Sequence, residues 1–155
     1  MIGVVHCIDS NGFYGAERVL LSLLKASESS KLFHTTLLNF LDRQIPTNSI
    51  GDRVRSLGLP ILNFPNSRGF DLSALLRLSI IMLRGNAQIV HSHGYKPNIY
   101  LMILKPLLRN MIFISTVHGW AKESADGKLS LYEKLNSIAL RSFDSCVAVS
   151  NAVKQ

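Results

Sequence analysis

The stretch Ser115-Thr116-Val117-His118-Gly119-Trp120 decides the fold. The apolar run Met111 to Thr116 reads as a buried strand, and it breaks abruptly into a histidine, a glycine and the single tryptophan. Two other stretches share this layout. Ile2 to Ile8 ends in Asp9-Ser10-Asn11-Gly12-Phe13-Tyr14-Gly15, and Ile89-Val90-His91-Ser92 ends in His93-Gly94-Tyr95-Lys96. A helical pattern follows each. If the three strands are parallel, their carboxyl ends converge on one crevice, which is where open α/β sheets bind ligands.

Working outward, strand and helix patterns alternate along the chain. Helical spacing runs over Ala16 to Ala26, with Val19, Leu20, Leu23 and Leu24 as the expected buried stripe. Phe33 to Leu41 and Pro60 to Phe64 read as strands, flanking a short helix from Ser49 to Leu57 that Gly58 stops. Asp71 caps a helix over Leu72 to Leu83. Pro97 suits a helix start, giving a helix over Ile99 to Leu108 that Pro106 bends or shortens. Ala121 to Lys128 is polar and reads as a mobile loop before a helix over Leu129 to Arg141 and a last strand, Ser145 to Val149. Such alternation predicts an α/β fold, a Rossmann-like three-layer sandwich with a mainly parallel sheet. One domain is expected over residues 1–150. Residues 151–155 open a helix capped by Ser150, too short to stand alone, and are read as the start of a connection to a further domain.

Composition narrows the function. The chain has 155 residues, 47% of them apolar and 17% charged, as in a globular domain rather than a disordered segment. A formal net charge of +7 points to an anionic partner, either a phosphorylated ligand or an acidic lipid surface. Nucleic acid is disfavoured, because the basic residues are scattered and no run of five occurs. Cys7 and Cys146 lie in strand-like runs and are expected to be buried free thiols of a reducing compartment. No basic leader precedes Ile2, so the expectation is a cytoplasmic protein. The apolar region from Ile99 to Val117 is interrupted by Lys105, Pro106, Arg109 and Asn110 and falls short of the roughly 20 residues needed to span a bilayer. It reads as a helix followed by a strand.

Three loops carry the candidate chemistry. The first, with Gly12 and Gly15 ahead of Glu17 and Arg18, can bring backbone amides to an anion at a helix start. It matches neither a dinucleotide fingerprint nor a P-loop. The plain alternatives are a tight turn, with Glu17 serving the helix N-terminus and Arg18 a surface charge. In the second loop, His91 and His93 share a strand face, as two metal ligands would. No acidic residue lies nearby, so hydrogen-bonded histidines are favoured and no metal is assigned. In the third, His118 is a candidate general base or transition-state stabiliser, and Trp120 a candidate sugar platform. Against these stand a structural histidine and a packing tryptophan. His6 and His34 are read as structural.

The residues resemble a known family. Gly15-Ala16-Glu17-Arg18-Val19-Leu20-Leu21, Ile89 to Lys96, Thr116 to Trp120, Leu131-Tyr132-Glu133-Lys134 and Val147 to Val153 are similar, in this order, to segments of family-four glycosyltransferases. These are retaining enzymes of the GT-B fold that use nucleotide sugars. The resemblance implies that this chain is the N-terminal, acceptor-binding half. His118 would be the active-site histidine against the transferred sugar, with Gly119 and Trp120 beside it. Gly12, Gly15, Glu17 and Arg18 would approach the donor phosphate and the acceptor. His93, Gly94, Tyr95 and Lys96 would line the acceptor side, and Ser150 would close the strand leading to the second domain. The family usually has a glycine pair before Ala-Glu, and here Tyr14 replaces the first of them.

The implied donor is a nucleotide sugar, a UDP-sugar above all, with no cofactor and no metal required. The implied acceptor is a glycan or a lipid-linked sugar, for polysaccharide or glycolipid synthesis, at a peripheral position on the inner face of the plasma membrane. A C-terminal donor-binding domain would be needed for activity. The alternatives are a non-catalytic module for a phosphorylated or glycan ligand, or one subunit of a split glycosyltransferase. A metal hydrolase built on His91, His93 and His118 would lack acidic ligands.

Overall fold

The computed structural model describes residues 1–118 and 127–150, with residues 127–130 described in backbone only. Its elements alternate in chain order: β1 (Ile2–Asp9), α1 (Gly15–Glu28), β2 (Phe33–Asp42), α2 (Ser49–Ser56), β3 (Ile61–Asn66), α3 (Leu72–Arg84), β4 (Ala87–His93), α4 (Tyr95–Leu104), β5 (Ile112–Val117), α5 (Gly127–Ser142) and β6 (Ser145–Ala148). The six strands form one sheet in the order β3-β2-β1-β4-β5-β6. Every neighbouring pair is parallel. The carboxyl ends of β1, β4 and β5 are therefore adjacent, as the three-loop reading requires.

Apolar side chains on both faces of the sheet explain the three layers. On one face Cys7, Phe40, Val90 and Phe113 pack with Leu78 and Met82 of α3 and Tyr100, Leu101 and Leu104 of α4. On the other, Ile8 and Leu37 pack with Leu20 and Leu24 of α1 and Ile50 and Val54 of α2. Each such fully buried side chain contributes about 1.5–3 kcal/mol. At Gly3 a Cβ atom would stand 2.5 Å from the carbonyl oxygen of Asn86, so only glycine lets the turn before β4 lie against β1.

The structure moves several boundaries. The buried stripe of α1 is narrower than expected: Leu20 and Leu24 are buried, whereas Val19 and Leu23 are 42% and 39% exposed. Periodicity shows that a helix has an apolar side; the sheet and α2 together decide how much of that side is covered. β3 continues through Pro65 to Asn66, because it is an edge strand and needs no further ladder donor there. α4 starts at Tyr95 and ends at Leu104, not Ile99 to Leu108. Pro97 fits because first-turn amides have no intrahelical partner, and Pro106 lies just beyond the end. Gly94 caps this helix at φ +104°, a conformation that favours glycine. Asp71 caps α3 as expected, accepting from the Ala74 amide.

Cys7 is buried, and desolvation raises its thiol pKa. Cys146 corrects the expectation of two buried thiols: it is exposed, on β6, which among the described residues is an edge strand. Among the described residues no helix is long and apolar enough to cross a membrane. Of the expected mobile loop, residues 121–126 lie outside the described residues, and α5 already begins at Gly127. The expected short helix over 151–155 also lies outside them.

Candidate active site

The sheet order reverses between β1 and β4, and open α/β sheets bind ligands at that point. A cavity of about 120 Å³ lies there, lined from β1 by Ile8 and Asp9, from α1 by Glu17, from the β4–α4 corner by His93 to Tyr95, and from β5 by Thr116 to His118. The sequence candidates Glu17, His93, Gly94, Tyr95 and His118 thus meet at one place. Beneath them Ser115 Oγ donates to Asn98 Oδ1 at 3.0 Å, and Asn98 Nδ2 donates to Asn136 Oδ1 at 2.7 Å. All three side chains are buried, and a satisfied polar network of this kind holds the floor rigid.

The first loop is organised by Glu17. The side chain is buried and accepts from Ser10 Oγ with one carboxylate oxygen and from the Tyr14 amide, at 2.7 Å, with the other. Asn48 of the α2 cap donates to the Ser10 carbonyl oxygen at 2.9 Å, tying the loop to its neighbour. Gly12 lies under the Tyr14 ring, where a Cβ would collide with the ring. Gly15 opens α1 with free space around it, and Arg18 is exposed.

His118 is half-buried, and its Nε2 lies 3.2 Å from His93 Nδ1. His93 Nε2 in turn lies 3.2 Å from His6 Nδ1. His91 Nε2 is 2.7 Å from Thr116 Oγ1. Burial lowers all four imidazole pKa values, and neighbouring imidazoles lower those of His6, His91 and His93 further. His6 falls to about 3 and His91 to about 4. The Glu17 carboxylate partly offsets the shift at His118. All four are neutral at pH 7, so His118 faces the cavity as an imidazole able to accept or donate a hydrogen bond.

Two further hollows lie near this cavity. One of about 480 Å³ is polar, lined by Asp9, Asn11, Asp42, Asn66, Arg68 and Lys96. The other, about 310 Å³, is a groove between α4 and α5 with Ile99, Met102, Ile103, Leu131 and Leu135 in its walls. Asp9 is common to the first cavity and the polar hollow; Lys96 is common to the polar hollow and the apolar groove. Lys96 Nζ donates to the Ser67 carbonyl oxygen. Burial lowers its pKa, against the pull of Asp9 and Asp42. Burial also raises the Asp9 carboxyl above its usual range, with Lys96 opposing and Asp42 adding to the shift.

Sequence reasoning missed Asp9, Asp42, Asn66 and Arg68; their common signal is a place at or just past the carboxyl end of a strand, which patterning alone leaves unranked. It also set His6 aside as structural, although β1 pairs with β4 in a register that puts His6 opposite His91. His34, also read as structural, is exposed at the start of β2. Ser150 is exposed beyond β6, outside the cavity lining. Gly119 and Trp120 lie outside the described residues.

An all-parallel sheet of this order, with polar loops gathered at its switch point, is a Rossmann-like domain. The chain belongs to Glycosyltransferase Family 4, whose sequence profile matches residues 13–155. Two solved structures share the fold. One is HepE of Anabaena, crystallised in complex with UDP, with a TM-score of 0.67 at 12% identity over 92% of this chain and 36% of that one. The other is the UDP-GlcNAc 2-epimerase of Methanocaldococcus jannaschii, with a TM-score of 0.64 at 13% identity over 99% of this chain and 41% of that one. The chain thus spans less than half the length of either. A search of curated protein sequences gives no match.

Proposed function

We propose that this chain is the acceptor-binding half of a retaining hexosyltransferase, covering residues 1–150. The enzyme would move a sugar from a UDP-sugar to a glycan or lipid-linked acceptor, without a cofactor or a metal in the transfer step. The observation that carries this reading is the succession of three spaces along the carboxyl edge of the sheet: the His118 cavity and the polar hollow share Asp9 in their walls, and the polar hollow and the apolar groove share Lys96. Acceptor hydroxyls fit the carboxylates and amides of the polar hollow. A lipid chain fits the groove, and Lys96 stands between them where a phosphate would be. His118 would meet the transferred sugar, with Gly94 and Tyr95 lining the same cavity and the Gly12–Gly15 loop, Glu17 and Arg18 towards the donor phosphate; Gly119 and Trp120 are assigned to the sugar by the family resemblance alone. The nucleotide would be held by a C-terminal domain reached past Ser150, so the half alone would be inactive. A cytoplasmic, membrane-peripheral position fits the net charge of +7 and an exposed apolar row along α3.

The test is an amide-resolved NMR titration of the 155-residue chain with a short-chain polyprenyl diphosphate sugar and, separately, with a UDP-sugar. Saturable shifts of Gly94, Lys96 and His118 with the lipid-linked sugar, and weak or no shifts with the UDP-sugar, support the reading. Tight UDP-sugar binding without acceptor binding would overturn it. So would turnover by the chain alone at about 1–10³ per second, the usual enzyme range.

A further inference from the structure

We propose that His6, His91 and His93 form a binding site for a borderline divalent metal ion such as Zn²⁺ or Co²⁺, behind the candidate transfer site and supplying no group to the transfer step itself. One ring nitrogen from each of the three lies within 4.8 Å of the others. His6 Nδ1 and His93 Nε2 are already 3.2 Å apart. In a tetrahedron with bonds of about 2.0–2.1 Å, ligand nitrogens stand about 3.3–3.4 Å apart, so this pair needs almost no movement to share an ion. The ring centroids of His91 and His93 are 4.3 Å apart, and those of His6 and His91 are 5.0 Å apart.

Strand register makes the cluster. His6 pairs with His91 and Ile8 with His93 across parallel strands, so the three imidazoles rise from one sheet face. His6 is 5% exposed and His93 1% exposed, which fixes their rings. His91 is only partly buried, and an ion enters from its side.

The outer nitrogens are prepared as well. Ligating histidines usually hand their second nitrogen to a fixed partner, which sets the tautomer. His91 Nε2 meets Thr116 Oγ1 at 2.7 Å, and His93 Nδ1 meets His118 Nε2 at 3.2 Å. Metal binding needs neutral imidazoles, the form an ordinary histidine mainly takes at neutral pH. The proton between His6 Nδ1 and His93 Nε2 moves to the outer nitrogen of the ring that holds it, so no net proton is released. Three imidazoles leave a fourth position for water or an anion. The ion also fixes His93 with its proton on Nδ1, so that it donates to His118. Metal binding therefore sets the tautomer of the candidate active-site histidine.

The experiment uses the tag-free 155-residue chain at neutral pH. Zn²⁺ binding is followed by calorimetry and Co²⁺ binding by its visible spectrum. One equivalent with the bands of tetrahedral cobalt is expected, together with a rise in Tm, since an ion that binds only the native state stabilises it. His91→Gln and His6→Gln should each weaken binding more than about tenfold, and Thr116→Val, at the outer nitrogen, about 10–100-fold. His34→Gln, an exposed histidine, should bind as the parent does. Circular dichroism checks each fold; if His6→Gln does not fold, His91→Gln decides. Absence of saturable binding, or binding unchanged in His91→Gln, would overturn the proposal.

Discussion

At the scale of single residues, the site depends on how two buried side chains hold partners they do not touch in sequence. Glu17 spends both carboxylate oxygens on the first loop, and His93 sets the ring of His118. His118 is then a neutral imidazole on the cavity wall, suited to orienting sugar hydroxyls or stabilising developing charge. An oriented polar group in such a place is commonly worth about 10²–10³ in rate. We expect His118→Ala to lower kcat by that factor in an enzyme that includes the donor-binding domain, with circular dichroism unchanged. A folded variant within about threefold of the parent would reduce His118 to a structural residue.

Among the elements, α3 pairs a buried side with an exposed apolar one. α3 buries Leu75, Leu78 and Met82, yet Leu72, Leu76, Ile80 and Leu83 remain 60%, 59%, 48% and 55% exposed. They recur three or four residues apart and so form one row along the helix. Leu107, just past α4, is 55% exposed as well. An exposed apolar row on a chain of net charge +7 is complementary to an anionic lipid surface, where each basic residue near the bilayer adds about 1 kcal/mol. The parent chain should therefore sediment with vesicles rich in anionic lipid and much less with neutral ones at low salt. Leu76→Glu combined with Ile80→Glu should lose most of that binding, since both sites are exposed and the core under α3 is untouched. Equal sedimentation with both vesicle types would count against the membrane position.

For the whole molecule, the buried imidazoles set a pH dependence. Burial lowers the native pKa of His6 to about 3 and of His91 to about 4, from 6.5. Between those values and 6.5 the unfolded chain binds protons that the native chain refuses, so protonation favours unfolding. Full stability is present above about pH 6.5 and declines as pH falls towards 4, by up to about 1.4 kcal/mol per pH unit for each such histidine. Urea denaturation from pH 7.5 to 5 should show this slope, and His6→Gln, if folded, should flatten it. A parent profile level from pH 7 to 5 would sink the expectation.

Much of this architecture is legible in the residues themselves. Strand and helix periods differ, so the alternation of elements and the parallel sheet follow from local patterning. So do the Asp71 cap and the three glycine-bearing loops, because each rests on contacts within a few residues. Tertiary structure alone decided the rest. Strand order put β1 beside β4 and so brought His6, 87 residues away in sequence, against His93. It also joined Asp9, from the end of β1, to Asp42 and Lys96 around one hollow, and left Cys146 exposed. Local sequence sets the period of an element and the places where it breaks. Which side of that element is covered, and by which neighbour, depends on pairing between distant segments, which no short window of residues contains.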